Sequence, residues 1–382
     1  MTSTTTRAMQ VAEPGTGFTL VQVDTPPPGP GQVRVDVEAC GICHSDAMIT
    51  GGYLPGTTFP VTTGHEIAGR IESIGAGVTG WAVGDRVAVG WYGGSCGHCD
   101  ACREGDGINC PEVRIPGVAY PGGYADQVLV PAIALARIPD GLTAVEAAPL
   151  ACAGVTTYNA LRRSSARAGD VVAILGLGGL GHLGVQFAAR MGFVTVAIAR
   201  GADKAPLAHQ LGAAHYIDST AEDVAKALQR LGGAKVVLAT VTNSAAMAAT
   251  VDGLARRGEL IIAGATTDPL PISGLQLIGG SRRIQGHASG IATDTEATLR
   301  FAAQTGIRPW TEEAPLEEAA AAFEKMLSGA AASGWSSPPA GESAPGLRRA
   351  AAPDSLTVRQ GVWGMGRPAQ SRSACGRCPQ AP

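Results

Sequence analysis

The stretch GHEIAGRIESIGAGV, residues 64–78, sets Gly64, His65, Glu66, Gly69, Gly75 and Val78 at the spacing G-H-E-x2-G-x5-G-x2-V. A histidine between a glycine and a glutamate can turn an imidazole nitrogen toward a metal, and the glycines let backbone pack close behind it. Alone, such a pair is more often a satisfied polar pair, so the reading of His65 depends on partners elsewhere. Upstream, Val33, Val35 and Val37 alternate with Arg34 and Asp36, the pattern of a strand with one buried face. It leads into CGICHSD, residues 40–46, where a thiolate at Cys43 would be held near a rigid element; the alternative is a buried reduced thiol. Downstream, EAAPLACAGVTTYNAL, residues 146–161, carries Cys152 among small side chains. Cys43, His65 and Cys152 together make two thiolates and one imidazole, a set that binds a catalytic zinc with the fourth position left for water or substrate.

Between these ligands lies SCGHCDACREGDGINC, residues 95–110. Cys96, Cys99, Cys102 and Cys110 give C-x2-C-x2-C-x7-C in a Gly-rich lobe too short for a core of its own. That arrangement suits a closed, structural zinc held by four thiolates; two disulfides or four free thiols are the alternatives. Two zinc ions per chain are therefore expected, one of each kind. A second C-x2-C, Cys375 and Cys378, lacks such context and is given no function.

The 382 residues are enough for two domains, each with a core. Hydrophobic residues make up 45% and charged residues 16%, a globular balance, and 53 glycines announce many tight turns. A net charge of −3 without a basic block argues against nucleic acid as a partner. No stretch reaches the ~18 apolar residues of a membrane span, and the amino terminus has no leader-like core, so a soluble, cytoplasmic protein is expected.

From Asp170 the pattern changes. VVAIL, residues 171–175, is a continuous apolar strand, followed by GLGGLG at 176–181 and the helical run HLGVQFAARMG. Gly176, Gly178 and Gly181 take the G-x-G-x-x-G positions, with Gly179 inside the same loop. The first makes the tight turn, the second lets a pyrophosphate approach the backbone, and the third packs helix on strand. A second strand, VTVAIA at 194–199, and the further alternation of strand and helix patterns to about residue 287 predict a doubly wound parallel sheet. Where the ribose-binding carboxylate is expected, Ala199-Arg200-Gly201 stands instead, with Lys204 close behind. Missing carboxylate and nearby cations favour a 2′-phosphate, hence NADP(H) over NAD(H), unless Arg200 is simply a solvated charge.

In GICHSD, the GHE signature, the four-cysteine lobe, ACAGVTTY and GLGGLG, in that order, the chain resembles the zinc-dependent medium-chain alcohol dehydrogenases over residues 18–329. The resemblance implies an α/β protein of two domains: a mainly β, GroES-like catalytic domain and a Rossmann cofactor domain. The first spans residues 1–152, with 294–329 returning to it, and the second 153–293. It assigns Cys43, His65 and Cys152 to the catalytic zinc, Glu66 to an acidic neighbour of the metal, and Asp46 to the carboxylate orienting the ligand histidine. Ser45 matches the hydroxyl that bonds the substrate oxygen and starts a proton relay. His44 and Thr156 match positions near the cofactor, and Trp91 a wall of the substrate pocket. The reaction implied is hydride transfer between an alcohol or aldehyde and NAD(P)(H), in a homodimer or homotetramer.

Three departures stand out. Met48 replaces the histidine that many relatives use to finish the proton relay, leaving a ribose hydroxyl or water to carry the proton. Leu54 stands where ethanol-preferring members carry tryptophan, implying a wider pocket. Residues 330–382, rich in Pro, Ala, Arg and Ser, lack apolar periodicity and are expected to be disordered, and the usual closing strand of type R-V-V-L is missing in frame. Codons for Ala332 to Pro338 read from their third base can encode V-R-V-V-L-T, which suggests a frameshift near Gly329. The competing readings are a zinc-free quinone or enone reductase, which has no use for the seven ligands; a polyol dehydrogenase, which often has glutamate at the Cys152 position; and a non-catalytic or impaired cofactor-binding homologue that has lost its last strand.

Overall fold

The computed structural model describes residues 4–328 and the strand Thr357–Gly361. Two hairpin strands open the chain, β1 (Thr4–Val11) and β2 (Phe18–Thr25). There follow β3 (Gln32–Ile42), helix α1 (His44–Thr50), β4 (Glu66–Ile74), β5 (Arg86–Val89), the short α2 (Asp100–Arg103), β6 (Gln127–Pro131), β7 (Ala136–Arg137), α3 (Ala144–Pro149) and α4 (Val155–Arg162). A seven-stranded sheet is built on β3, whose valines at 33, 35 and 37 are buried as their alternation predicts. One edge of β3 pairs antiparallel with β4, and β6 covers residues 32–36 of the other.

The second half is β8 (Val171–Leu175), α5 (Gly179–Arg190), β9 (Val194–Ala199), α6 (Ala205–Gln210), β10 (His215–Asp218), α7 (Val224–Arg230), β11 (Ala234–Ala239), α8 (Ser244–Ala248), β12 (Leu254–Ile262), α9 (Gly274–Ile278) and β13 (Arg283–Gly286). Its six strands are parallel in the order β10-β9-β8-β11-β12-β13. Order reverses beside β8, so the glycine loop after that strand lies at the switch point where ligands bind such sheets. Val172, Ala173 and Ile174 are fully buried because helices cover both faces. Helix α10 (Ala292–Thr305) then packs on α4, and β14 (Thr311–Pro315) and α11 (Ala319–Leu327) return to the first sheet.

Within residues 330–382, Thr357–Gly361 form a strand, here β15. It runs antiparallel to β14 and parallel to Ala39–Ile42 of β3. The physical reason is the open edge that β6 leaves on the second half of β3: any extended segment able to reach it completes two ladders at once. The proposed frameshift at 329–338 lies outside the described residues.

Candidate metal centres and dinucleotide loop

Cys43 follows β3 and caps α1, His65 precedes β4, and Cys152 sits in a π-helical turn, Leu150–Gly154, between α3 and α4. Such a turn widens the helix by one residue and re-aims a side chain. Pro149, which cannot donate a hydrogen bond, precedes it, and the carbonyl of Ala151 comes so close to Gly90 that a Cβ there would sit 2.0 Å away. Three distant segments thus converge: one ligand atom each from Cys43, His65, Glu66 and Cys152 lies within 4.8 Å of the others, all four residues buried. The Cys152 Sγ to His65 Nε2 distance is 3.4 Å, close to the ~3.6 Å edge of a tetrahedron with zinc–sulfur and zinc–nitrogen bonds of normal length. The donor set and its spacing fit zinc.

Asp46, fully buried, fixes this arrangement. Its Oδ1 accepts from the Thr63 hydroxyl at 2.7 Å, the Gly64 N–H at 3.3 Å and the His65 Nδ1–H at 3.0 Å. Its Oδ2 accepts from the Cys43 N–H at 2.9 Å and the Tyr124 hydroxyl at 3.2 Å. Burial by itself would raise the Asp46 carboxyl, but His65 and these donors outweigh it and hold it below the usual range. With Nδ1 held by Asp46, Nε2 is the ring nitrogen turned toward the thiols, and it can ligate a metal once its proton is lost. The thiol of Cys152 donates to Cys43, holding the Cys43 thiol well below its usual range. Thr63 and Tyr124 were not found from sequence; only the fold brings them to Asp46.

Glu66 is buried, its Oε2 has no hydrogen-bond partner among the described residues, and burial pushes its carboxyl well above the usual range. The space it occupies exists because residue 41 is glycine: a Cβ there would lie 1.9 Å from Oε2. His44 and Ser45 sit half-buried in the first turn of α1, directly after Cys43, and burial lowers the His44 imidazole. Trp91 meets the His65 ring edge to face, with centroids 4.9 Å apart. Leu54 packs instead in a satellite cluster with Val11, Ile49 and Val61.

In the lobe, Cys96, Cys99, Cys102 and Cys110 are all free thiols that lie together. Sulfur pairs at 3.9 Å (Cys96–Cys102), 3.7 Å (Cys99–Cys110) and 3.6 Å (Cys110–Cys96) match the ~3.8 Å edge of a four-thiolate zinc tetrahedron. They are too long for disulfides. The Cys99 and Glu112 N–H groups donate to Cys96 and Cys110, as thiolates require.

The glycine loop has the geometry its spacing implies. Gly176 has φ +103°, and a Cβ at Gly181 would lie 2.0 Å from the Gly176 carbonyl. Gly178 caps α5, whose free N–H groups begin at Gly179 and form a ready phosphate site. Thr156 is buried at the start of α4, which packs on α5. Arg200 is exposed just beyond β9, and half-buried Lys204 follows; Asp203 and Asp218 lie in the same region, Asp218 accepting the Gly201 N–H. Among the described residues, no helix is long and apolar enough to cross a membrane.

Comparison with known proteins agrees with this geometry. Residues 29–140 match the model of the alcohol dehydrogenase GroES-like domain, and residues 179–304 that of the zinc-binding dehydrogenases. The chain is 40% identical to the alcohol dehydrogenase patD of Penicillium expansum over 332 residues, 86% of this chain and 97% of that one. Among solved structures it resembles the alcohol dehydrogenase of Aeropyrum pernix (TM-score 0.77, 30% identity, 85% and 97% of the two chains). It also resembles a zinc-binding dehydrogenase of Sinorhizobium meliloti bound to NADP (TM-score 0.75, 26% identity, 94% and 99%). With both domain models in register and a relative matched over nearly its whole length, the chain belongs to the zinc-type medium-chain alcohol dehydrogenase family.

Proposed function

We propose that this alcohol dehydrogenase interconverts a small alcohol and its aldehyde with NADP(H), using a zinc held by Cys43, His65 and Cys152 and a second, structural zinc in the four-cysteine lobe. The observation that carries the reading is the buried convergence of those three ligands on one point, braced by Asp46. Bound there, zinc supplies Lewis acidity toward a hydroxyl or carbonyl oxygen. The Ser45 hydroxyl, two residues after Cys43, would hold the substrate proton and release it toward water or a cofactor hydroxyl, since Met48 is exposed and has no proton to relay. Trp91 forms one wall of the substrate site and keeps water from His65; Leu54, seated in its satellite cluster, leaves room for longer or aromatic substrates. The N–H groups at Gly178 and Gly179 would hold the pyrophosphate, His44 and Thr156 would lie beside the cofactor, and Arg200 with Lys204 would take the 2′-phosphate. What supports NADP(H) is Arg200, exposed where a carboxylate would otherwise bind ribose, and the NADP-bound relative.

In this reading residues 1–152 and 294–329 make the catalytic domain and 153–293 the cofactor domain. What speaks against an impaired homologue is β15, which pairs with both β14 and the end of β3. The test is one preparation of the full-length protein, assayed for zinc per chain and for NADPH-driven reduction of aliphatic and aromatic aldehydes, with NADH alongside. Two zincs and faster turnover with NADPH are expected. Two zincs without turnover on any aldehyde would favour the non-catalytic reading, and a preference for NADH would remove the role given to Arg200.

A further inference from the structure

His182 is the first residue after GLGGLG, in the first turn of α5, and is 3% exposed. Both ring nitrogens are engaged. Nδ1–H donates to the carbonyl of Gly178 at 3.2 Å, and Nε2 accepts the backbone N–H of Trp310 at 3.2 Å. The two bonds fit a neutral tautomer, and burial holds the imidazole down to about 4, so the ring is neutral near pH 7. A neutral ring also suits a helix N-terminus, which disfavours cations.

One turn further along the same face of α5, Gln186 clasps the backbone of Arg308. Its Nε2 donates to the Arg308 carbonyl at 3.0 Å, and its Oε1 accepts the Arg308 N–H at 3.3 Å. The side chain of Arg308 reaches the other way, to Glu146 of α3 at 3.0 Å and the Gly141 carbonyl at 2.9 Å. Helix α3 runs directly into the π-helical turn that carries Cys152. Hydrogen bonds and one ion pair, linked through the backbone of residues 308–310, therefore join the Gly178 carbonyl, in the dinucleotide loop, to the helix feeding a zinc ligand.

We propose that His182 is a positioning residue for hydride transfer: with Gln186 and Arg308 it sets the dinucleotide loop in register with the Cys152 segment. The inference rests on the function proposed above. It uses His182 in a way no ligand or pocket role would, because the ring faces the crossover segment at 308–310 and holds backbone at both ends.

His182→Phe keeps a flat ring and removes both bonds; His182→Gln keeps one donor and one acceptor. Arg308→Leu cuts the far half of the path without touching His182. Dissociation constants for NADPH by fluorescence titration, kcat, KM and zinc per chain are measured for wild type and all three. The loss of two hydrogen bonds in His182→Phe is expected to weaken NADPH binding about 5- to 10-fold. His182→Gln should restore binding to within about twofold, as its remaining donor and acceptor allow. Zinc content is expected to stay at the wild-type value in every variant. Arg308→Leu should lower kcat several-fold with NADPH binding nearly intact, and its effect on kcat/KM should be non-additive with His182→Phe, as one connected unit requires. Unchanged NADPH binding in His182→Phe, equal losses in the Phe and Gln variants, or strict additivity with Arg308→Leu would overturn the proposal while leaving the dehydrogenase reading in place. Should His182→Phe not fold, the Gln and Arg308 variants decide alone: a several-fold fall in kcat for Arg308→Leu, with NADPH binding kept, supports the path, and an unchanged kcat overturns it. A wild-type protein that binds no dinucleotide would overturn both.

Discussion

Asp46→Asn is the substitution that tests the brace behind the catalytic ligands. The carboxylate is fully buried and meets five donors: Thr63, Gly64 and His65 on Oδ1, Cys43 and Tyr124 on Oδ2. Asparagine matches its shape but must turn an NH2 group toward one of these sets. The less costly choice is the Oδ2 side, where Tyr124 can rotate its hydroxyl to accept but the Cys43 N–H cannot. That leaves one buried N–H without an acceptor, ~1–3 kcal/mol, and makes the bonds from His65 and Thr63 neutral rather than charge-assisted, for a total of ~3–5 kcal/mol. At ~2 °C per kcal/mol for a chain of this size, the thermal midpoint should fall by ~6–10 °C. The same change weakens the bond that orients the His65 ring, and weakening such an outer partner lowers metal affinity ~10- to 100-fold. Differential scanning fluorimetry and zinc transfer to a chromophoric chelator measure the two quantities. A variant with wild-type zinc retention and a midpoint within ~1 °C would refute the reasoning, because it would mean the five donors do not need the charge.

Three further outcomes follow from particular contacts. Gly41→Ala drives a Cβ against the Glu66 carboxylate, and since buried backbone on both strands leaves little room to yield, a loss of ~1–3 kcal/mol and of the catalytic but not the structural zinc is expected; two zincs per chain with full stability would contradict it. Truncation after Ser328 strips β15 from Ala39–Ile42 and from β14, so ~3–6 kcal/mol of ladder bonding should be lost, read as a lower midpoint in urea, while an unchanged midpoint would show the strand to be idle. Glu259 is buried, and although burial alone would raise its carboxyl, the Ser165 N–H and hydroxyl and the Arg283 guanidinium hold it below its ordinary 4.5. A depressed folded value gives stability that is full above the unfolded value and lost as pH falls through the folded one. Glu259→Gln should therefore be less stable than wild type above about pH 5, with the gap closing in acid; a gap constant from pH 7 to pH 3 would count against it.

How much could be read beforehand depended on how far apart in the chain the cooperating residues lie. The four-cysteine lobe closes within one short loop, and the glycine loop is a local strand-turn-helix unit, so spacing alone sufficed for both. The catalytic set draws on residues 43, 65 and 152, and there motif resemblance had to replace local geometry. What escaped notice is contact that only register creates. Tyr124 reaches Asp46 because the backbone of residues 122–124 pairs with residues 62–64, and Gly41 faces Glu66 because they are opposite one another across β3 and β4. The π-helical turn at Leu150–Gly154 lies inside a run of small residues whose spacing gives no sign of it, with Pro149 as the single outward mark. The segment TVRQG is unremarkable in composition and became a strand because β3 offered it an edge.

The same difference in sequence separation distinguishes the two proposed metal sites physically. The lobe needs only one short loop to close, so its ligands can assemble whenever that loop is ordered. The catalytic set must hold together a strand end, a loop and a π-helical turn, and its closure entropy grows with the chain between them. It is also the set tied to β15 through the end of β3, and to the cofactor half through α3, Arg308 and α5. Loosening any of those contacts acts on Cys43 or Cys152 before it reaches the lobe. Under rising urea with a chelator present, the catalytic zinc should therefore leave at a lower concentration than the structural one, and loss of NADPH binding should track the first release. Simultaneous release of both would show that the lobe has no stability of its own and is held by the sheet beneath it.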